Sequence, residues 1–143
     1  MSGTVRFTIS LPEELLQTLD EQIIDEGYAG RSEFIRDLIR EKIVERAWKE
    51  GETVVGVLTL VYDHHQRNIN RRMLEIQHGA GDDVILCTTH VHIDHHNCVE
   101  TIILKGRAEH LTRLADEIGG LKGILFAKLT RTMAFPASHS HSH

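Results

Sequence analysis

Between His90 and Cys98 the chain reads His90-Val-His-Ile-Asp-His-His-Asn-Cys98, which crowds metal-ligand side chains into a strand-like sequence. Val91 and Ile93 alternate with His90 and His92, and the preceding Val84, Ile85, Leu86, Cys87, Thr88 and Thr89 are rich in strand formers. Residues two apart on a strand share a face, so His90 and His92 present two imidazoles side by side. A turn over Asp94 to Asn97 then folds a second strand back and brings Cys98 beside them. Two imidazoles and a thiolate suit nickel, copper or zinc; magnesium and calcium prefer oxygen ligands. A fourth ligand is wanted, and His78, at the end of a helical stretch and just before Gly79-Ala80-Gly81, is the candidate, brought in across a subunit interface. Glu100, two residues past Cys98 on the same strand face, is placed to hydrogen-bond a ligand imidazole. Cys87, set among Ile85, Leu86 and Thr88, is expected to be a small buried core residue.

The elements that must hold these side chains fit into 143 residues, enough for one ordinary domain or two small ones completed by oligomerisation. No run of eighteen apolar residues exists, and the N-terminus lacks a basic stretch followed by an apolar one. A cytoplasmic protein with reduced thiols is expected, with no membrane partner. The net charge of −5 argues mildly against nucleic acid, and residues 1–50 are acidic on balance. Any DNA contact must therefore come from a local cationic face.

Thr4 to Leu11 alternates cleanly, with Val5, Phe7, Ile9 and Leu11 on one face and Arg6, Thr8 and Ser10 on the other. One short strand cannot stand alone, so its partner is expected to be the same strand of a second chain. Pro12, Glu13 and Glu14 open a helix whose buried stripe is Leu15, Leu16, Leu19, Ile23 and Ile24. Gly27-Tyr-Ala-Gly30 breaks it, and a second helix starts near Ser32, expected as the N-cap, with Ile35, Leu38, Ile39 and Ile43 at helical spacing and Phe34 flanking them.

The spacing predicts a domain over residues 1–48, a linker over 49–53 and a βαββαβ domain over 54–136. Its strands are expected at 54–62, 83–93, 97–104 and 124–132, and its helices at about 66–77 and 107–119. Two helices on one face of the sheet leave the other face for another subunit. The tail, 137–143, is low in complexity, rich in histidine and expected to be disordered.

A strand-helix-helix start with Arg6, Thr8 and Ser10 outward resembles the ribbon-helix-helix DNA-binding domain. Joined to a βαββαβ module bearing His78, His90, His92 and Cys98, the whole is similar to the nickel-responsive transcriptional regulators of bacteria, the NikR family. The likeness runs from residue 4 to about 133, through Gly27-Tyr28, Arg31-Ser32-Glu33, Ile35-Arg36-Asp37, Gln77-His78, His90-Val-His92, His95, Cys98 and Leu104-Lys-Gly106.

The resemblance implies an α+β chain, a ribbon-helix-helix domain followed by a ferredoxin-like, ACT-like domain, assembled as a homotetramer that is a dimer of dimers. It implies one nickel(II) per subunit, held by His90, His92 and Cys98 with His78 of a neighbour. It also implies a palindromic double-stranded operator read by Arg6, Thr8 and Ser10, and repression of nickel-uptake genes when nickel is bound. Glu33 and Asp37 match carboxylates that hold a potassium-like cation between domains in the DNA-bound form. His64, His65 and Arg67 fall where the family places surface residues that touch DNA or extra metal. The chain departs from some relatives at Gln66, where they carry a basic residue, and at Gly79-Ala-Gly-Asp-Asp83, which replaces a histidine-rich stretch and is one residue longer.

Two other classes are weighed against this. His-x-His with Asp94 and His95 suits a metal-dependent hydrolase, but four protein ligands leave a planar ion no position for substrate, and no convergent nucleophile or base accompanies them. A metal-storage or delivery protein would use the histidines but gives residues 4–48 no reason to form a polar-faced ribbon.

Overall fold

Pro12 has its φ at −56° and no N–H to lose, and helix α1, Glu13–Asp25, starts directly behind it. The computed structural model describes residues 3–66 and 68–137. The expectations placed on Arg67 and on the histidine-rich tail beyond Ala137 lie outside the described residues. Helix α1 ends in a Schellman turn: Gly27 takes φ 75°, the Tyr28 N–H donates to the Ile23 carbonyl at 2.9 Å, and the Gly27 N–H donates to that of Ile24 at 3.2 Å. Helix α2, Arg31–Lys49, begins one residue before the serine expected to cap it. The Phe34 N–H already donates to the Gly30 carbonyl, which makes Gly30 the cap position and puts Ser32 inside the first turn.

The chain divides into two compact units, one running to Ile43 with the segment from Phe135, the other spanning Val44–Ala134. In the first unit, the Arg31 guanidinium grips both Asp20 carboxylate oxygens at 2.9 Å, and Tyr28 stacks edge-on against Phe34. Of the expected α1 stripe only Ile23 is buried, while Leu15 and Ile24 are exposed; on α2, Phe34 is buried and Leu38, Ile39 and Ile43 are exposed. Phe34 was expected only to flank the stripe, yet it is the residue the helix pair encloses. Residues 4–11 form no ladder and show Val5, Phe7, Ile9 and Leu11 to solvent, because a lone segment has no strand within its own chain to pair with.

The second unit is β1 (Thr53–Asp63), α3 (Ile69–Gly79), β2 (Ile85–His92), β3 (Asn97–Arg107), α4 (Ala108–Gly119) and β4 (Ile124–Thr132). Its strands are all antiparallel in the order β2-β3-β1-β4, the ferredoxin-like, ACT-like βαββαβ arrangement. Alternate residues Val54, Leu58, Leu60 and Tyr62 of β1 and Cys98, Ile102 and Leu104 of β3 are buried with Ile69 and Met73 of α3 and Leu111 and Ile118 of α4. Each such side chain contributes on the order of 1.5–3 kcal/mol of burial. The last turn of α2 belongs to this core through Ala47 and Trp48, and the Trp48 indole N–H donates to the Thr132 carbonyl at 3.0 Å. The other face of the sheet carries Val55, Val57 and Val61 of β1, Val99 and Ile103 of β3, Val91 of β2 and Phe126 of β4, with no element of this unit over it.

Three expectations are corrected here. Helix α3 starts at Ile69 instead of near residue 66, because Asp63 to Gln66 close a turn and Asn68 takes a left-handed φ of 69°. Strand β2 starts at Ile85, since Asp82 and Asp83 lie in a turn. Cys87 is exposed: its partner in register is Ile103, which puts it on the open sheet face of an edge strand.

Candidate metal centre

Register, more than sequence distance, assembles the ligands. Cys98 is the shared partner of His92 on β2 and Tyr62 on β1, and Glu100 is the partner of His90 and Leu60. All of them lie on the helix-covered face, at the end of the sheet where the β2–β3 turn and the β1–α3 turn meet. The β2–β3 turn is tied by Asp94, whose Oδ1 accepts the backbone N–H groups of His96 at 2.9 Å and Asn97 at 2.8 Å. With the Asn97 side-chain amide added, these donors hold the Asp94 carboxyl down to about 2. The two turns are joined by the His64 N–H, which donates to the His96 carbonyl at 3.3 Å.

Cys98 is fully buried, and its Sγ lies 3.3 Å from His92 Nδ1. His64 completes a compact group with these two, its ligand atom and theirs all within 4.8 Å of one another. Burial pushes the Cys98 thiol up from its ordinary value, so a metal that takes the thiolate must displace a proton. His90 stands beside the group, its ring centroid 5.0 Å from that of His92, but its Nδ1 faces the Tyr62 hydroxyl at 3.1 Å and Glu100 Oε1 at 3.4 Å. Glu100 is the buried charged residue among those described, and the Tyr62 hydroxyl donates to it at 2.8 Å. Burial, then this bond, pushes the Tyr62 phenol far above its ordinary value, so the hydroxyl keeps its proton. With that proton committed to Glu100, the Tyr62 oxygen is free to accept from His90 Nδ1, the tautomer of His90 that would offer Nε2 to a metal.

Of the ligands expected from sequence, His92 and Cys98 are brought together, and His90 lies beside them outside the compact group. His78, in the last turn of α3, is exposed and belongs to no compact ligand group among the described residues. His64, which the resemblance puts among surface residues that can touch DNA or extra metal, lies in the compact group with His92 and Cys98. The signal for it was the pairing of β1 with β3, which sets Tyr62 opposite Cys98 and so brings the turn just past Tyr62 close to the thiol. The same pairing gathers a second group, Asp63, His65 and His96. Arg6, Thr8 and Ser10 are exposed in the unpaired segment 3–11. Within the first unit, Glu33 pairs with Arg36 at 3.0 Å, and Asp37 accepts from the Tyr28 hydroxyl at 2.7 Å. A thiolate with imidazoles is a donor set that fits nickel(II).

Comparison with known proteins agrees with both halves. Residues 55–132 match the NikR C-terminal nickel-binding domain, and residues 5–46 match the ribbon-helix-helix protein, copG family. A protein named as a nickel-responsive regulator in Helicobacter hepaticus is 54% identical over 140 residues, covering 94% of this chain and 98% of its own. A Helicobacter pylori protein of the same name is 54% identical over 135 residues, covering 92% and 90%. An uncharacterized protein from Thermotoga maritima, 18% identical, superposes on 56% of this chain and 98% of its own with a TM-score of 0.50, a likeness of fold alone. No helix among the described residues is long and apolar enough to cross a membrane. With the domain matches and the full-length relatives pointing one way, the chain belongs to the NikR family of nickel-responsive regulators.

Proposed function

We propose that this chain is a cytoplasmic homotetrameric repressor that binds one nickel(II) per subunit and, so loaded, holds a palindromic operator upstream of nickel-uptake genes. The family is one of transcriptional regulators and not of enzymes, and its ribbon-helix-helix domain binds DNA. The observation that carries the nickel reading is the buried Cys98 sulfur with His92 and His64 within 4.8 Å and His90 alongside. We assign the ion to His90, His92 and Cys98, with His78 supplied by a neighbouring copy. His64 is the in-chain rival for that fourth position. Glu100 orients His90 through its shared contact with Tyr62.

We divide the chain functionally into a DNA-reading part, 1–48, a linker, 49–53, and a metal-binding and tetramerising part, 54–136. The uncovered apolar sheet face and the exposed stripes of α1 and α2 support assembly, since a single chain leaves both without partners. A second copy pairs residues 4–11 into a ribbon that fits the major groove, where Arg6 donates two hydrogen bonds to a guanine and Thr8 and Ser10 meet other base edges. Glu33 and Asp37 are assigned to a potassium-like cation in the DNA-bound form, which requires them to exchange Arg36 and Tyr28 for the ion. Metal and operator are linked reciprocally: whatever factor nickel adds to DNA affinity, DNA adds to nickel affinity, commonly about 1–3 kcal/mol.

The test is a nickel titration under reducing conditions, following thiolate-to-metal absorption. One tight equivalent per chain, with a band lost in Cys98→Ser, is expected. An unchanged titration in that variant sinks the assignment. His78→Ala is expected to weaken nickel more than His64→Ala, and the reverse order makes His64 the fourth ligand. Arg6→Ala is expected to cost about 1–3 kcal/mol of operator binding. Undiminished DNA binding in that variant would remove the ribbon as the reading element, whereas loss of all DNA binding would exclude a storage protein.

A further inference from the structure

We propose that Gly123 is a positioning residue for the metal centre. It has no side chain at the point where the α4–β4 turn meets the β1–α3 turn, and so it sets the seat of the turn that carries His64 and starts the helix whose last turn holds His78. The inference rests on the nickel reading above. It does not rest on which histidine is the fourth ligand, because both candidates take their place from the same turn.

Gly123 takes φ 102°, a left-handed backbone that residues with a Cβ rarely adopt. A Cβ there would lie 3.1 Å from Gln66 Cγ, 3.1 Å from Ile69 Cδ1 and 3.3 Å from Gln66 Cβ. Ordinary carbon contacts are about 3.5–4.0 Å, so an added methyl must push one of the two turns away. The α4–β4 turn is held: Leu121 is part of the buried core, and Ile124, whose N–H donates to the Leu121 carbonyl at 3.2 Å, pairs with Tyr62 on β1. The β1–α3 turn is the side that gives, since Gln66 is exposed and is tied in it by its N–H to the Asp63 carbonyl at 3.0 Å.

That displacement reaches the metal group from two sides. Two residues before Gln66 is His64, whose ligand atom lies within 4.8 Å of those of Cys98 and His92. One residue after Ile69 is Asn70, 3.4 Å from the Tyr62 hydroxyl that also meets Glu100 and His90. The shift required is a few tenths of an ångström. Metal–donor distances tolerate only about 0.2 Å, so a shift of this size weakens the site without altering a ligand.

The test measures nickel(II) affinity of the full chain against a competing chelator under reducing conditions, with circular dichroism confirming each fold. Gly123→Ala is expected to keep the thiolate band and to bind nickel about tenfold more weakly. Gln66→Ala/Ile69→Val removes the two nearest atoms. In that background the same Gly123→Ala change is expected to weaken nickel by no more than about threefold, while its loss of thermal stability, which comes from the strained φ, persists. Unchanged affinity in the folded alanine variant overturns the proposal. An equal loss of affinity in both backgrounds also overturns it and leaves Gly123 a role in stability alone. Where Gly123→Ala does not fold, Gly123→Asn, whose side chain tolerates positive φ better, is read in the same way. A wild-type chain with no Cys98-dependent band withdraws the nickel reading itself and this proposal with it, an outcome distinct from a normal wild-type band that does not respond to Gly123→Ala.

Discussion

The Tyr62 hydroxyl has one proton and three partners in reach, Glu100 at 2.8 Å, His90 Nδ1 at 3.1 Å and Asn70 at 3.4 Å, and the shortest contact takes it. That choice favours the tautomer of His90 with its proton on Nδ1, facing the Tyr62 oxygen. Tyr62→Phe therefore leaves the thiolate band in place and lowers nickel affinity by about 10- to 100-fold, read by titration against a competing chelator. Asp94 acts on the turn instead of the ligands. Its folded pKa of about 2 lies below the ordinary 3.8, so its contribution to stability is complete above the ordinary value and lost as pH falls through the folded one. Thermal melts of Asp94→Ala and wild type are expected to differ at neutral pH and to converge as the pH falls toward 2. His90, His92 and Cys98 were legible in the sequence because a period of two and one tight turn suffice to join them. His64, Tyr62 and the Asp63 group were not, since residues thirty apart meet only through the β1–β3 register.

At the scale of elements, β1 accommodates the end of α2 by a missing side chain. A Cβ on Gly56 would lie 2.9 Å from Leu129 Cδ1 and 3.3 Å from Trp48 Cη2. Gly56→Ala is thus an overpacking change, expected to cost about 1–3 kcal/mol in denaturant unfolding and to change the Trp48 fluorescence. The helices and strands of the second unit could be read from their periods, to within a few residues at their ends. What escaped was the role of edges: Cys87 sits in an apolar run that looks like core, but β2 is an outer strand and its second face is open. Trp48 is a similar case. It lies at the end of a helix assigned to the first domain, and its indole belongs to the core of the second unit.

Taken as a whole molecule, the single chain is incomplete, with residues 4–11 unpaired, helix stripes exposed and one sheet face bare. Sedimentation at rising concentration is expected to show dimers and tetramers and no persistent monomer, and Val91→Lys, which puts a charge on the bare face, is expected to shift the population to smaller species. Strand β2, which carries His90 and His92, is the outer strand of the sheet and is hydrogen-bonded on one side only, to β3. An outer strand opens more readily than a central one. The ion proposed to be held jointly by β2 histidines and the β3 cysteine would be a clasp across that seam, so occupancy of the site is expected to be written into the backbone as slower deuterium uptake by the amides of β2.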